Sequence, residues 1–156
     1  FLFLFSGFAF NDQPEAKREY WENGKMKSET HYRNGKRDGV SISWYAHGEK
    51  EYEGYYQSGK KNGVFSRWYE SGAKEGKGSF KNDLPDGEFL GWHESGEKSY
   101  ASKLINGKMV GTTTSWYENG QKTVERHFEN GLSEGIFTAW FENGKKKKRS
   151  TIRMGN

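Results

Sequence analysis

Trp116-Tyr117-Glu118-Asn119-Gly120-Gln121-Lys122 decides how the chain is read, because variants of it have already passed four times. Its tryptophan stands at Trp44, Trp68, Trp92, Trp116 and Trp140, with Tyr20 in the same place at the start. Its glycine stands at Gly24, Gly48, Gly72, Gly96, Gly120 and Gly144, a step of 24 residues each time. A second series runs through Gly39, Gly63, Gly87, Gly111 and Gly135. A third runs through Gly35, Gly59, Gly107, Gly131 and Gly155, with Asp83 in its one gap. Five of the six tryptophans on one lattice mark a tandem array of small identical units.

Outward from that phrase, turn signals alternate at 11 and 13 residues. Six glycines of the series through Gly24, Gly35, Gly48 and Gly59 follow asparagine: Gly24, Gly35, Gly107, Gly120, Gly131 and Gly144. Asn and Gly both tolerate positive φ, so these pairs predict tight hairpin turns. The segments between them are six to eight residues long and rich in Tyr, Phe, Trp, Thr and Val, as strands are. None is long enough for an amphipathic helix. In Val40-Ser41-Ile42-Ser43-Trp44 the apolar residues are even-numbered, as are Tyr32, Tyr56, Phe80, Leu104, Phe128 and Ile152 on the partner strands. An even period preserves parity, so the expectation is one aromatic face and one mainly polar face. The fold class is therefore all-β: an elongated single-layer antiparallel sheet of about eleven strands, one hairpin per 24 residues. Residues 19–156 make about six repeats, the last partial, and the open end strands invite self-association.

The totals agree with a thin structure. Leu, Ile, Val and Phe number only 25 of 156, but 26 residues are aromatic and the net charge is only +4. Each aromatic offers roughly 150–250 Å² of buriable surface. Such a chain folds by covering one aromatic face. The 25 basic and 21 acidic residues are interspersed, which argues against nucleic acid as a partner. The exception is Lys145-Lys146-Lys147-Lys148-Arg149, read as an exposed charged segment or a contact for an anionic membrane surface. Without cysteine there are no disulfides, thiolate metal sites or cysteine nucleophiles.

Phe1-Leu2-Phe3-Leu4-Phe5-Ser6-Gly7-Phe8-Ala9-Phe10 differs from all that follows. It is too short to span a bilayer, which takes about 20 apolar residues. It matches the apolar middle of a secretory leader with a cleavage site after Ala9, and residues 1–18 are read as a truncated leader and linker. The alternative is a buried first strand. A true leader places the protein in the periplasm, the envelope or outside the cell; without one it is cytoplasmic.

The unit Tyr52-Glu53-Gly54-Tyr55-Tyr56-Gln57-Ser58-Gly59-Lys60-Lys61-Asn62-Gly63, followed by Trp68-Tyr69-Glu70-Ser71-Gly72, resembles the MORN repeat. The stretches Trp116 to Lys122 and Tyr32-Arg33-Asn34-Gly35-Lys36-Arg37-Asp38-Gly39 are similar to its bacterial variant, in the YwqK-type antitoxin family. The likeness covers about residues 20–156. Departures are confined to single units: Thr30, Ser102 and Arg126 stand where Gly54 stands, His93 follows Trp92 in place of tyrosine, and Asn82 to Asp86 alter one turn. The resemblance implies a non-catalytic module that neutralises a toxin, associates with membranes or acts as a scaffold.

The residues themselves carry no catalytic signature. His31, His47, His93 and His127 lack a second histidine at metal spacing, and no Gly-x-Ser-x-Gly elbow appears. Glu22, Glu70, Glu94, Glu118 and Glu142 recur once per repeat, as lattice residues do, and Asp38 and Asp86 sit in turns. No cofactor and no metal is expected, and the chain is not read as an enzyme. The tryptophan stripe is expected to be covered by the twist of the sheet. Aromatics at odd positions are then left over: Tyr45, Tyr69, His93, Tyr117 and Phe141, with Phe65, Phe89 and Phe137. One layer cannot hide rings on both sides, so the first five are the predicted contact for a protein partner, a toxin or an envelope protein. The alternative function is an exported, membrane-associated scaffold held by Lys145 to Arg149.

Overall fold

At Asn34-Gly35 the backbone takes φ values of 50° and 72°, and the pairs at Asn106 and Asn130 repeat this conformation. Two successive residues at positive φ form the turn whose twist matches that of a hairpin. Ser58-Gly59 and Asn82-Asp83 adopt it too, which is how one repeat does without its glycine. The other three Asn-Gly pairs work differently. Asn23, Asn119 and Asn143 keep ordinary φ, and each side-chain oxygen accepts from the amide two residues on, at 3.0 Å. In these wider turns the asparagine is chosen for its side-chain bond, and only the glycine for its φ.

In a computed structural model describing residues 13–152, these turns fold the chain into one 13-stranded antiparallel sheet. The leader expected over Phe1 to Phe10 lies outside the described residues. The strands are β1 (Glu15–Tyr20), β2 (Met26–Arg33), β3 (Lys36–Trp44), β4 (Lys50–Gln57), β5 (Lys60–Lys61), β6 (Gly63–Trp68) and β7 (Lys74–Lys81). They continue as β8 (Leu84–Trp92), β9 (Lys98–Ile105), β10 (Lys108–Trp116), β11 (Lys122–Glu129), β12 (Leu132–Trp140) and β13 (Lys146–Ile152). Order in the sheet follows order in the chain, with the two-residue β5 pairing only with β4. The strand count exceeds the expected eleven because β1 is a full strand and β5 splits from β6. The first described strand starts at Glu15.

The expected thin core is found. Tyr56 and Phe65, at 7% and 6% exposure, are its only buried large apolar residues among those described. Phe65 packs edge-on against Tyr56 and Phe80, at 5.4 and 5.1 Å between ring centres, and Phe80 against Phe89 at 5.4 Å. This corrects the parity reading, which put Phe65 and Phe89 on the face opposite Tyr56 and Phe80. Pairing between strands slips near the second glycine series, for example between Gly78 and Phe80 and between Val110 and Thr114. Gly39, Gly63, Gly87, Gly111 and Gly135 all take positive φ there. These slips insert two residues and leave parity unchanged; the exchange comes from the two-residue turn, which sets Lys81 opposite Leu84 and Phe80 opposite Pro85, so that even pairs with odd. The 24-residue step keeps parity between repeats but not between the two strands of one repeat.

Simple alternation separates the tryptophans from the phenylalanines. Alternation along β6 from Phe65 sets Trp68 on the other face. There Lys50, ion-paired to Glu53 at 2.7 Å, lies 5.2 Å from the Trp68 ring centre, and Lys74 lies at 5.4 Å. Lys27 covers Trp21 and Lys122 covers Trp140 in the same way. Trp21, Trp68 and Trp140 are half-buried beneath lysine stems, an arrangement that leaves the ammonium groups in water.

Candidate binding face

Away from the register slips the strands pair residue by residue, so single rows of side chains can be followed across the sheet. One row on the aromatic face reads Ser43, Tyr52, Arg67, Gly76, Gly91, Tyr100, Ser115. The next row sets Phe65 and Phe89 on either side of Gly78. These glycines are required by space. A β-carbon on Gly54 would lie 2.2 Å from the Phe65 ring, and one on Gly78 would lie 2.2 Å from Phe89. Each ring therefore lies over the glycine of the preceding strand. Where the face reads Tyr52, then Gly76 beside Gly91, then Tyr100, it sinks into a groove of about 330 Å³. Phe65, Phe80 and Phe89 wall it, and the Arg67–Glu75 ion pair, 3.4 Å long, stands at its rim. Burial, then the 3.1 Å hydrogen bond with Tyr56, raises the pKa of the Tyr52 phenol above its ordinary value.

The five expected contact residues lie along one edge of the sheet, at the wider turns. Tyr45 donates its hydroxyl to the Trp68 carbonyl at 2.7 Å, Tyr69 to that of Trp92 at 2.8 Å, and Tyr117 to that of Trp140 at 3.1 Å. His93 reaches the Trp116 carbonyl through Nε2 at 2.9 Å; a carbonyl only accepts, so that nitrogen carries the proton. Trp21 opens the series with Nε1 donating to the Trp44 carbonyl at 3.0 Å. Each polar tip thus ties one repeat to the next, 23 residues on. Phe141 has no polar tip and is 47% exposed. Desolvation, followed by the negative field of Glu51 and Glu75, raises the Tyr45 pKa; desolvation with Glu75 and Glu94 does so for Tyr69.

The opposite edge has a ladder of its own. Amides of Gly59, Asp83, Gly107 and Gly131 donate to carbonyls of Arg37, Lys61, Pro85 and Met109 in the preceding repeat. The Asp38 carboxylate accepts from the Ser58 amide at 2.9 Å and Asp86 from that of Asn106 at 3.3 Å. Both aspartates, expected in turns, lie instead in β3 and β8, and each bonds to the turn of the following repeat. Lys146 to Arg149 belong to β13, paired to β12, with their side chains exposed, and Lys147 stacks over Phe141 at 5.4 Å. The remaining histidines also have partners: His31 the Val40 carbonyl at 2.9 Å, His47 that of Glu70 in the next repeat at 2.7 Å, and His127 the Thr112 hydroxyl at 3.5 Å. Among the described residues no three His, Asp or Glu side chains converge as metal ligands would.

Sequence reasoning missed the groove. Its signal was present in the lattice, where glycine replaces tyrosine at 76 between Tyr52 and Tyr100. Three segments, residues 16–34, 61–82 and 109–130, match the family model described as MORN repeat variant. No curated protein matches the chain. Repeats of this family are non-enzymatic modules that commonly bind proteins or membranes. The matched segments are spread along an unbroken lattice of hairpins, so the chain carries repeats similar to the MORN repeat variant.

Proposed function

We propose that this protein is a non-catalytic module that binds another protein on its aromatic face, and that it acts as an antitoxin of the YwqK type. One observation carries the reading: among the described residues, a single-layer sheet exposes a grooved aromatic face with no second layer over it. Rings left half in water are the surface that a partner can desolvate with little entropy lost. The edge rings Tyr45, Tyr69, His93, Tyr117 and Phe141 form a second contact, through ring faces, since all their polar tips are engaged within the array. Co-expression with the product of an adjacent toxin-like reading frame tests this. Growth rescue and co-purification are expected, both lost on Tyr69→Ala with Tyr117→Ala in a protein that stays folded. Co-purification without rescue removes the antitoxin role, and neither result removes the pairing altogether.

A second reading is favoured by the exposed cations of β13 beside exposed Phe141: an exported scaffold resting on an anionic membrane. Each lysine near such a surface contributes about 1 kcal/mol, screened by salt. Sedimentation with phosphatidylglycerol vesicles at low salt, reversed at high salt, is its expected signature. No lipid-dependent shift at either salt would end it.

A further inference from the structure

We propose that the Gly76–Gly91 groove receives an aromatic side chain of the partner protein, carried on an extended acidic segment. The inference rests on the protein-binding reading and names the recognition site and the chemistry of what it takes. The lattice itself shows what is missing. Positions 52, 76 and 100 are equivalent, and they read Tyr, Gly, Tyr. Positions 67, 91 and 115 are likewise equivalent and read Arg, Gly, Ser. Two paired glycines therefore remove two neighbouring side chains from a row that is otherwise filled. The gap spans two strands, about 10 Å of bare backbone, the width of one flat ring in van der Waals contact on both sides. Neither glycine takes positive φ, so backbone conformation does not demand them.

The walls select the occupant. Arg67, with Tyr52 beyond it, and Tyr100 bound the gap along the row, while Phe65, Phe80 and Phe89 bound it along the strands. A ring placed there gains edge and face contacts on several sides. The rim carries two cations against one carboxylate: Lys61, seated over Phe65 and Phe80 at 5.2 and 4.9 Å, and Arg67, paired with Glu75 at 3.4 Å but 59% exposed. That excess suits one or two carboxylates flanking the ring. A sugar or a phosphate headgroup would need several converging donors. Here the floor amides are spent in the β7–β8 ladder and the Tyr52 hydroxyl is bonded to Tyr56. Little is left for polar recognition beyond Arg67.

The test is a titration of the full ¹⁵N-labelled chain with three capped pentapeptides, followed by the amide resonances of Gly76, Gly78 and Gly91. Asp-Glu-Phe-Glu-Asp is expected to move them; Asp-Glu-Ala-Glu-Asp is not. Lys-Lys-Phe-Lys-Lys should bind about tenfold more weakly, as loss of a favourable charge contact requires. Gly76→Tyr restores the residue of repeats two and four, and it should abolish the response while keeping the thermal transition. A β-carbon there meets only the Leu90 carbonyl at 3.3 Å. Should that variant not fold, Gly91→Ser, the residue at lattice positions 43 and 115, supplies the same test. The proposal is overturned if the acidic aromatic peptide leaves the three glycines unmoved at millimolar concentration. It is overturned equally if filling the gap changes nothing, or if phosphatidylglycerol vesicles move those glycines and the peptide does not. A co-purified partner that Gly76→Tyr still retains would remove the groove and leave the binding module standing.

Discussion

Tyr45 and Tyr69 each hold a neighbouring repeat by one hydroxyl, and that hydroxyl can ionise. Both pKa values are raised in the folded chain, by desolvation first and nearby carboxylates second. The unfolded value is about 10. A raised folded pKa means that the neutral form is favoured by folding. The associated stability is complete below about pH 10 and is lost as pH rises through the higher folded values. Tyr52, raised by burial, acts in the same direction. Melting temperature should therefore be flat through neutral pH and fall in strong alkali. The double variant Tyr45→Phe, Tyr69→Phe should lose about 1 kcal/mol per missing bond at neutral pH and show a shallower alkaline fall. A fall as steep as that of the parent would show that these hydroxyls are not what titrates. The positions of these tyrosines were visible in the sequence as a 24-residue series, but their bonds were not. A donor reaching a carbonyl 23 residues on is fixed by the spacing of neighbouring hairpins, which no local pattern encodes.

At the scale of a strand pair, the expected period, turns and antiparallel order all hold, while the assignment of rings to faces does not. Turns are legible because Asn-Gly fixes φ locally. Which rings share a face is legible only from cross-strand register, and Phe65 rather than Trp68 proves to lie with Tyr56 and Phe80. One strand pair also departs from the rule of a ring over a glycine. Ser102 and Thr113 occupy the places held by Gly54 and Phe65, and their hydroxyls are buried without a partner. In the first repeat the equivalent Thr30 and Ser41 hydroxyls bond each other at 2.9 Å. An unpaired buried hydroxyl costs about 1–3 kcal/mol. Thr113→Phe together with Ser102→Gly should remove both and add a ring packed over a glycine, raising the melting temperature by several degrees. Thr113→Phe alone should not, because a β-carbon at 102 stands where that ring must lie, as 2.2 Å at Gly54 demonstrates. A double-mutant cycle in which the two effects simply add would contradict the ring-over-glycine rule.

Across the whole molecule the units touch only their neighbours, so the chain should tolerate losing one if register is kept. Each repeat is tied to the next by a tyrosine, histidine or tryptophan donor on one edge, by amide-to-carbonyl bonds on the other, and by ring contacts between. Stability then accumulates repeat by repeat. Deletion of residues 102–125 joins Ala101 to Arg126, which is the lattice equivalent of Ser102. His93 should then meet the Trp140 carbonyl as it now meets that of Trp116. The groove between Tyr52 and Tyr100 stays intact. Such a protein should keep its β signature and one cooperative transition, a few degrees lower. Deleting residues 102–126 removes one residue more and joins Ala101 to His127. Beyond that junction the strand is half a pleat out of step, so Phe128 turns toward the lysine-covered face and His127 toward the aromatic one. A broad transition, or one far below that of the shorter deletion, is expected from thermal unfolding followed by circular dichroism. If the two deletions melt alike, register does not hold this ribbon together, and the rows of side chains that build its groove lose their physical basis.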